Sequence, residues 1–314
     1  MNLKTKLSQI NNSPEFWTLA HLAALTYVIS VASFTLLFLI APLLIQLENY
    51  FLLGVGAVSY NIISMFVMCH QLPERSLFLF GVQYPICARC IGIYLGSSVG
   101  GLLAFFYGRP KFMSKKMLLT VFIISFMPMA IDGVTQTLLY QRESSNMLRF
   151  ATGLLFGFGV LYTVTSIIFK KSGTLVESKK DINKIALGIN LFMIMLILLS
   201  AVYVGSKYIP KESALKIALE QVGSVPTEEL IYYFPPNAVK NIKNDPYLGS
   251  YNDVLLKDLS KINFKEHSHG VWAVLLLGEP PQAEGKIVFL SETRGTYVYI
   301  DAWTGKLIKS LEYS

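Results

Sequence analysis

All three cysteines of this 314-residue chain, and one of its four histidines, are drawn into one short stretch. Cys69-His70-Gln71-Leu72-Pro73-Glu74-Arg75-Ser76 is followed, across an apolar bridge, by Pro85-Ile86-Cys87-Ala88-Arg89-Cys90. A Cys-His pair and a Cys-x-x-Cys step supply four soft or borderline donors, enough for a tetrahedral shell of three thiolates and one imidazole around zinc. With Cys69, Cys87, Cys90 and His70 all ligating, such a site is closed. With His70 off the metal, a fourth position is open for water, whose pKa zinc lowers to about 7. The Cys87–Cys90 spacing at a helix start also fits a thiol–disulfide couple, with Arg89 and the helix N-terminus favouring the thiolate. The inert alternative is a disulfide or closed zinc site tying loop 69–83 to the next helix. Three cysteines leave one over after a disulfide, which favours metal.

A second constellation lies farther along, as Asp132-Gly133-x-x-Gln136 and then Ser145-Asn146-x-x-Arg149-x-x-Thr152-Gly153. Asp132 interrupts an apolar run, and a carboxylate inside a membrane span costs a few kcal/mol or more. It therefore needs a cation, a metal or a watery cavity. Asp132 and Gln136 share one helix face, and Asn146, Arg149 and Gly153 share another. An Asp132–Arg149 ion pair is the structural expectation. The chemical one makes Asp132 a general base or a partner of the metal shell, with Arg149 and Asn146 orienting an anionic or carbonyl group. Glu74 and Arg75 read as a solvated loop pair, with Glu74 also placed to shuttle a proton. His267-Ser268-His269 reads as a solvated loop, and Trp272, Tyr297 and Trp303 as core.

These residues sit in a chain of mean hydropathy +0.49, with 53% hydrophobic and 15% charged residues. That is too apolar for an ordinary soluble protein. Six apolar segments, near 18–46, 50–68, 84–106, 117–139, 148–169 and 185–205, approach or exceed the ~20 residues a bilayer requires. Pro42 predicts a kink near the end of the first; the second is short and spotted with Ser59, Asn61 and Ser64. No Ala-x-Ala cleavage pattern follows the first run, which reads as a retained helix and not as a signal peptide.

The net charge of +7 is unevenly placed: residues 1–205 carry 15 Lys/Arg against 7 Asp/Glu, and nine of those cations fall in loops 107–116 and 170–184. This is a topology signal and not a nucleic-acid footprint. With both loops cytoplasmic, loops 69–83 and 140–147 and everything after residue 205 lie outside. Six spans would also put Lys4 and Lys6 outside, against the same rule, so one of the first two segments is open to being re-entrant. Gly92, Gly96 and Gly100, with Gly153 and Gly157, predict close helix packing in lipid.

After Ser206 the composition becomes that of a soluble domain. Residues 211–223 have amphipathic helical spacing, strands are expected at 271–277, 286–291, 296–301 and 307–311, and Asp301–Lys306 reads as a turn. The fold class expected is thus an all-α polytopic membrane domain of about six helices over 1–205. A small α+β extracytoplasmic domain, a helix on an antiparallel sheet, follows over 206–314.

From about 60 to 170 the chain resembles an uncharacterised family of bacterial and archaeal membrane proteins, the domain of unknown function numbered twenty-eighty-five. The resemblance rests on Cys69-His70-Gln71-x-Pro73-x-Arg75-Ser76, Cys87-Ala88-Arg89-Cys90-x-Gly92-x-Tyr94-x-Gly96, Asp132-Gly133-x-x-Gln136 and Asn146-x-x-Arg149-x-x-Thr152-Gly153. It implies no reaction. Residues 210–312 resemble a PepSY-type domain through the leading helix, Trp272-x-Val274 and Val298-Tyr299-Ile300-Asp301-Ala302-x-Thr304-Gly305-Lys306; residues 224–264 exceed the minimal pattern. That resemblance implies an extracytoplasmic location and an inhibitory or modulating role beside a peptidase. The leading expectation is a zinc-type site for hydrolysis or transfer on a lipid-linked or membrane-proximal substrate. Here Asp132 or Glu74 takes the proton, and Arg149 and Asn146 steady the anion. A thiol–disulfide protein, or a metal-stabilised scaffold whose cap binds a peptide or a peptidase, are the alternatives. The bilayer is the expected surrounding, and nucleic acid is not an expected partner.

Overall fold

The structure, a computed structural model, describes residues 13–66, 69–111, 113–137, 144–175, 179–222, 226, 228–236, 238, 269–278 and 294–313. The strand expected at 286–291, His267, Lys4, Lys6 and most of 224–264 lie outside the described residues. Helices α1 (Pro14–Leu44) and α2 (Tyr50–Phe66) come first. A 3-10 turn (Pro73–Arg75) then leads into strands β1 (Ser76–Leu79) and β2 (Val82–Cys87). Four more long or apolar helices and one short one follow, namely α3 (Ala88–Tyr107), α4 (Lys115–Thr137), α5 (Asn146–Leu175), α6 (Lys179–Gly205) and α7 (Lys211–Val222). The chain closes with β3 (Glu228–Phe234), β4 (Val271–Gly278), β5 (Arg294–Asp301) and β6 (Leu307–Tyr313). The helix starts follow from capping: backbone N–H groups of Phe16, Phe51, Met117 and Leu148 donate to the side-chain oxygens of Ser13, Asn49, Ser114 and Ser145.

Five of the helices, α1 and α3 to α6, are long and apolar enough to cross a membrane. The sixth expected span is different: α2 has 17 residues, and its Leu53, Ala57 and Tyr60 are fully buried in the core of the sheet described below. Its apolarity serves that packing. A 10–17-residue apolar helix is more often a core helix than a span. The third expected span also begins later than predicted, because residues 82–87 are paired as a strand.

Two compact units emerge, one of residues 1–36 and 88–196, the other of 37–87 and 197–314. The first is helical. Its tightest pairing, α3 on α5, is made by reciprocal glycines. A Cβ at Gly92, Gly96 or Gly100 would collide with the carbonyls of Phe150, Leu154 or Phe158, and one at Gly153 or Gly157 with those of Arg89 or Ile93. Several polar side chains of this unit are joined in pairs, such as Thr35 Oγ1 to Ser98 Oγ at 2.8 Å and His21 Nδ1 to Ser172 Oγ at 2.8 Å. A polar side chain in hydrocarbon has no water to turn to, so such partners offset the cost of burying it.

The second unit is built on a six-stranded sheet whose spatial order follows the chain, β1 to β6. All neighbours are antiparallel except β2 and β3, which run parallel and meet at Val82 and Tyr233. Gly81, at φ 81°, makes that seam close: any Cβ there would strike the Ile231 carbonyl, and the Gly81 carbonyl accepts from Tyr233 N–H at 3.2 Å. One face of the sheet is covered by α2 and α7 around Trp272, Tyr60 and Tyr233, all under 2% exposed. Burying side chains of this size stabilises by roughly 1.5–3 kcal/mol each. The sheet therefore takes residues from both sides of position 205, including β1, β2 and α2.

The turn expected at 301–306 forms, with Asp301 Oδ1 accepting from Trp303 N, Thr304 N and Thr304 Oγ1 at 3.1, 2.6 and 2.8 Å. Its Trp303 stacks on His269, ring centroids 4.2 Å apart. Burial holds the His269 imidazole below its ordinary value of 6.5, and Asp301 pulls the other way. The unfolded chain takes up this proton near pH 6.5 and the fold only at lower pH. The contribution of this group is thus complete above pH 6.5 and is lost as pH falls from there through the folded value. Melting curves of the purified protein at pH 7.5 and 5.5 are expected to show lower stability at 5.5, with part of that difference gone in His269→Gln. An unchanged difference would assign the effect to carboxylates alone.

Candidate metal centre

The loop that delivers Cys69 is fixed by its own motif residues. Gln71, fully buried and at φ 51°, donates its side-chain amide to the Pro85 carbonyl, two residues before Cys87. Gln83 Nε2 answers from β2, donating to the Gln71 carbonyl and to Ser76 Oγ at 3.1 Å. Ser76 Oγ donates to the Leu72 carbonyl at 2.8 Å, and Tyr60 of α2 donates its hydroxyl to the Gln83 carbonyl at 2.7 Å. These side-chain to backbone bonds from Gln71, Gln83, Ser76 and Tyr60 pin the loop in one conformation. Cys69 ends up buried beside the last residue of β2, and Cys87 N–H points at its sulfur, 3.2 Å away.

Cys90 follows in the first turn of α3, and the three sulfurs lie within 4.8 Å of one another with no disulfide between them. Two thiolates on one tetrahedral zinc, each about 2.3 Å from it, sit about 3.8 Å apart. The observed spacing thus needs only a small inward rotation of side chains. The donor set, three thiols with an N–H aimed at one of them, suits a thiophilic ion. A group of three cysteines able to hold a metal ion is therefore present. His70, the fourth expected ligand, is exposed while Cys69 is buried, and it is not part of this group. The two adjacent side chains face opposite environments, which is why proximity in sequence did not bring the imidazole in.

The arginine between the paired cysteines turns to a different task. Arg89 Nη2 forms an ion pair with Asp132 Oδ2 and donates to Gln136 Oε1 at 3.2 Å. Asp132 is only 2% exposed, within a helix able to span a membrane, so the guanidinium answers the need for a counter-charge that the sequence posed. The sequence pattern offered Arg149 for that role and gave Arg89 only to the thiolates. Arg149 is buried, and its Nη1 donates to Asn146 Oδ1 at 3.0 Å in the first turn of α5. Glu74 and Arg75 form the expected pair, 3.3 Å apart and about a quarter exposed. Between α4 and α5 runs an apolar groove of about 460 Å³, lined by Ile124, Met127, Pro128, Leu148 and Thr152 and reaching Asp132.

Sequence reasoning singled out the cysteines, Asp132, Gln136, Asn146 and Arg149, and missed Gln83. The signal was there: Gln83 is the one amide in the otherwise apolar run from Leu77 to Ile86. A polar residue so placed is either exposed or pinning something.

Residues 69–163 match the family described as a predicted membrane protein, DUF2085. An uncharacterised protein of Methanocaldococcus jannaschii is 38% identical over 152 residues, covering 46% of this chain and 93% of its own length. An uncharacterised protein of Methanothermobacter thermautotrophicus is 43% identical over 93 residues, covering 30% of this chain and 80% of its own. No solved structure matches.

Proposed function

The chain belongs to the DUF2085 family of predicted membrane proteins, and from that premise we propose that it is a multi-pass protein with a zinc-type centre on Cys69, Cys87 and Cys90 at its non-cytoplasmic side. Five crossings remove the conflict that six created. The N-terminal Lys4 and Lys6 then share the cytoplasmic side with Arg109, Lys111, Lys115, Lys116 and the 170–184 cluster, as the positive-inside rule asks. An even number of long helices, α3 to α6, separates β2 from β3, which pair in one sheet and so must share a side. The arrangement of α7 on an antiparallel sheet supports a PepSY-like cap on that same outer side.

The single observation that carries the metal reading is the convergence of three cysteine sulfurs within 4.8 Å. A divalent ion held there would supply Lewis-acid polarisation of a carbonyl or phosphoryl oxygen and acidify a water. Glu74, five residues beyond Cys69, is assigned the proton. Asp132 holds Arg89 and thereby the backbone of the Cys87–Cys90 step. Arg149, oriented by Asn146, is assigned the anionic part of a substrate, and the groove between α4 and α5 the chain of a lipid-linked one. The reaction class is hydrolysis or transfer on such a substrate.

Metal analysis of protein purified without chelator tests the centre. About one zinc-like ion per chain is expected in the wild type, and close to none in Cys87→Ser. A metal-free wild type in which thiol trapping finds a Cys87–Cys90 disulfide would replace this reading with thiol–disulfide chemistry. For the reaction, wild type and Cys87→Ser are incubated with lipid extract and released head groups are followed by mass spectrometry. Full metal occupancy with no release would leave a metal-stabilised scaffold whose cap engages a peptide or a peptidase.

A further inference from the structure

We propose a second binding site at the opposite end of the helical unit, for the head group of an anionic phospholipid. A pocket of about 560 Å³ opens between the start of α4, the loop before it and the last turns of α5. Arg109, Lys115, Lys170 and Lys171 line it, and among the described residues no acidic side chain does. Four cations facing one cavity repel one another unless an anion joins them.

Two further observations make this more than a basic surface. Arg109 Nε and Thr163 Oγ1, both on lining residues, are buried without a hydrogen-bond partner. Threonines elsewhere on the spans, such as Thr152 and Thr165, satisfy their hydroxyls on backbone carbonyls one turn back. An unpartnered buried guanidinium N–H and hydroxyl on residues that line a cavity are donors for an acceptor-rich group, and a phosphate offers several acceptor oxygens. The rest of the lining decides between a free phosphate and a lipid. Leu119 and Ile167 belong to the pocket and are 58% and 47% exposed on helices able to span a membrane, so the cavity continues into a surface that contacts acyl chains. Trp17, also in the lining, is the residue type enriched where head groups meet hydrocarbon. Basic pockets between transmembrane helices hold phospholipid head groups by this combination of charge and apolar wall.

The test uses the full chain in detergent, with phosphatidylglycerol, phosphatidylcholine or inorganic phosphate added, read by native mass spectrometry and by thermal shift. Retention of phosphatidylglycerol over phosphatidylcholine is expected, falling about fivefold for each cation removed in Arg109→Gln and in Lys170→Gln/Lys171→Gln. The double variant Lys116→Gln/Lys180→Gln removes the same charge from outside the pocket and is expected to retain the lipid. Thr163→Val, which leaves every charge in place, is expected to weaken retention modestly and guards against a folding defect in the arginine variant. Equal losses in the lining and control pairs, no preference between the two lipids, or an equal thermal shift with inorganic phosphate alone would each overturn the proposal.

Discussion

Arg89→Gln is expected to lower the stability of the helical unit by about 3–5 kcal/mol, because it removes one partner of a buried ion pair. Asp132 is 2% exposed, and the guanidinium of Arg89 is the charge set against it. With that charge gone, the desolvation cost of the buried carboxylate is no longer offset by its ion pair. Asp132→Asn is expected to cost less, since the Arg89 side chain is a quarter exposed and a long cationic side chain can reach water. The double variant Arg89→Gln/Asp132→Asn sets an amide against an amide and is expected to recover most of the loss. Denaturant titration of the four proteins in detergent gives the coupling directly. Additive losses would mean that the pair contributes nothing as a pair. Arg89→Lys, which keeps the charge but not the planar fork, should fall between.

The second large effect is steric. Gly96→Ala and Gly157→Ala are each expected to destabilise by about 1–3 kcal/mol, and larger residues by more, because backbone cannot retreat as a flexible side chain can. The added Cβ at Gly96 would strike the Leu154 carbonyl, and that at Gly157 the Ile93 carbonyl. Gly188, on α6, has open space within 4 Å of where a Cβ would stand, so Gly188→Ala is expected to be neutral or to stabilise by about 0.5–1 kcal/mol through helix propensity. Melting temperatures of the three variants check this. A Gly96→Ala protein as stable as Gly188→Ala would show that α3 and α5 are not in close contact.

The glycine spacing and the long apolar helices were legible in the sequence because period and length are local properties. What the sequence left ambiguous was set by partners far away. The segment 50–68 is apolar whether it faces lipid or a sheet, and only Tyr60 on Gln83 and the burial of Leu53 and Ala57 against Trp272 decide for the sheet. Likewise 82–87 is apolar enough to begin a span, and it becomes a strand through pairing with β1 and, at Val82, with β3. Strand β3 itself falls at the start of a stretch read as an insertion, although Gly223, Pro226 and Pro235-Pro236 frame Glu228–Phe234 with turn signals. At the candidate centre, residue types gave the thiols and the carboxylate. The choice of Arg89 for Asp132 depended on how α3 and α4 face each other, which no spacing rule encodes.

The seam between Val82 and Tyr233 joins residues about 150 positions apart. A ribosome releases the β1–β2 hairpin long before it makes β3, and the translocation machinery must handle four long helices in the interval. During that time the outer edge of β2 has no neighbour, while Phe78 and Phe80 at the hairpin remain 40% and 72% exposed even in the finished protein. An open, apolar strand edge invites pairing with other chains. Nascent copies stalled before the last strands are made would therefore be the species that needs a chaperone, and their burden grows with every delay in laying down α3 to α6.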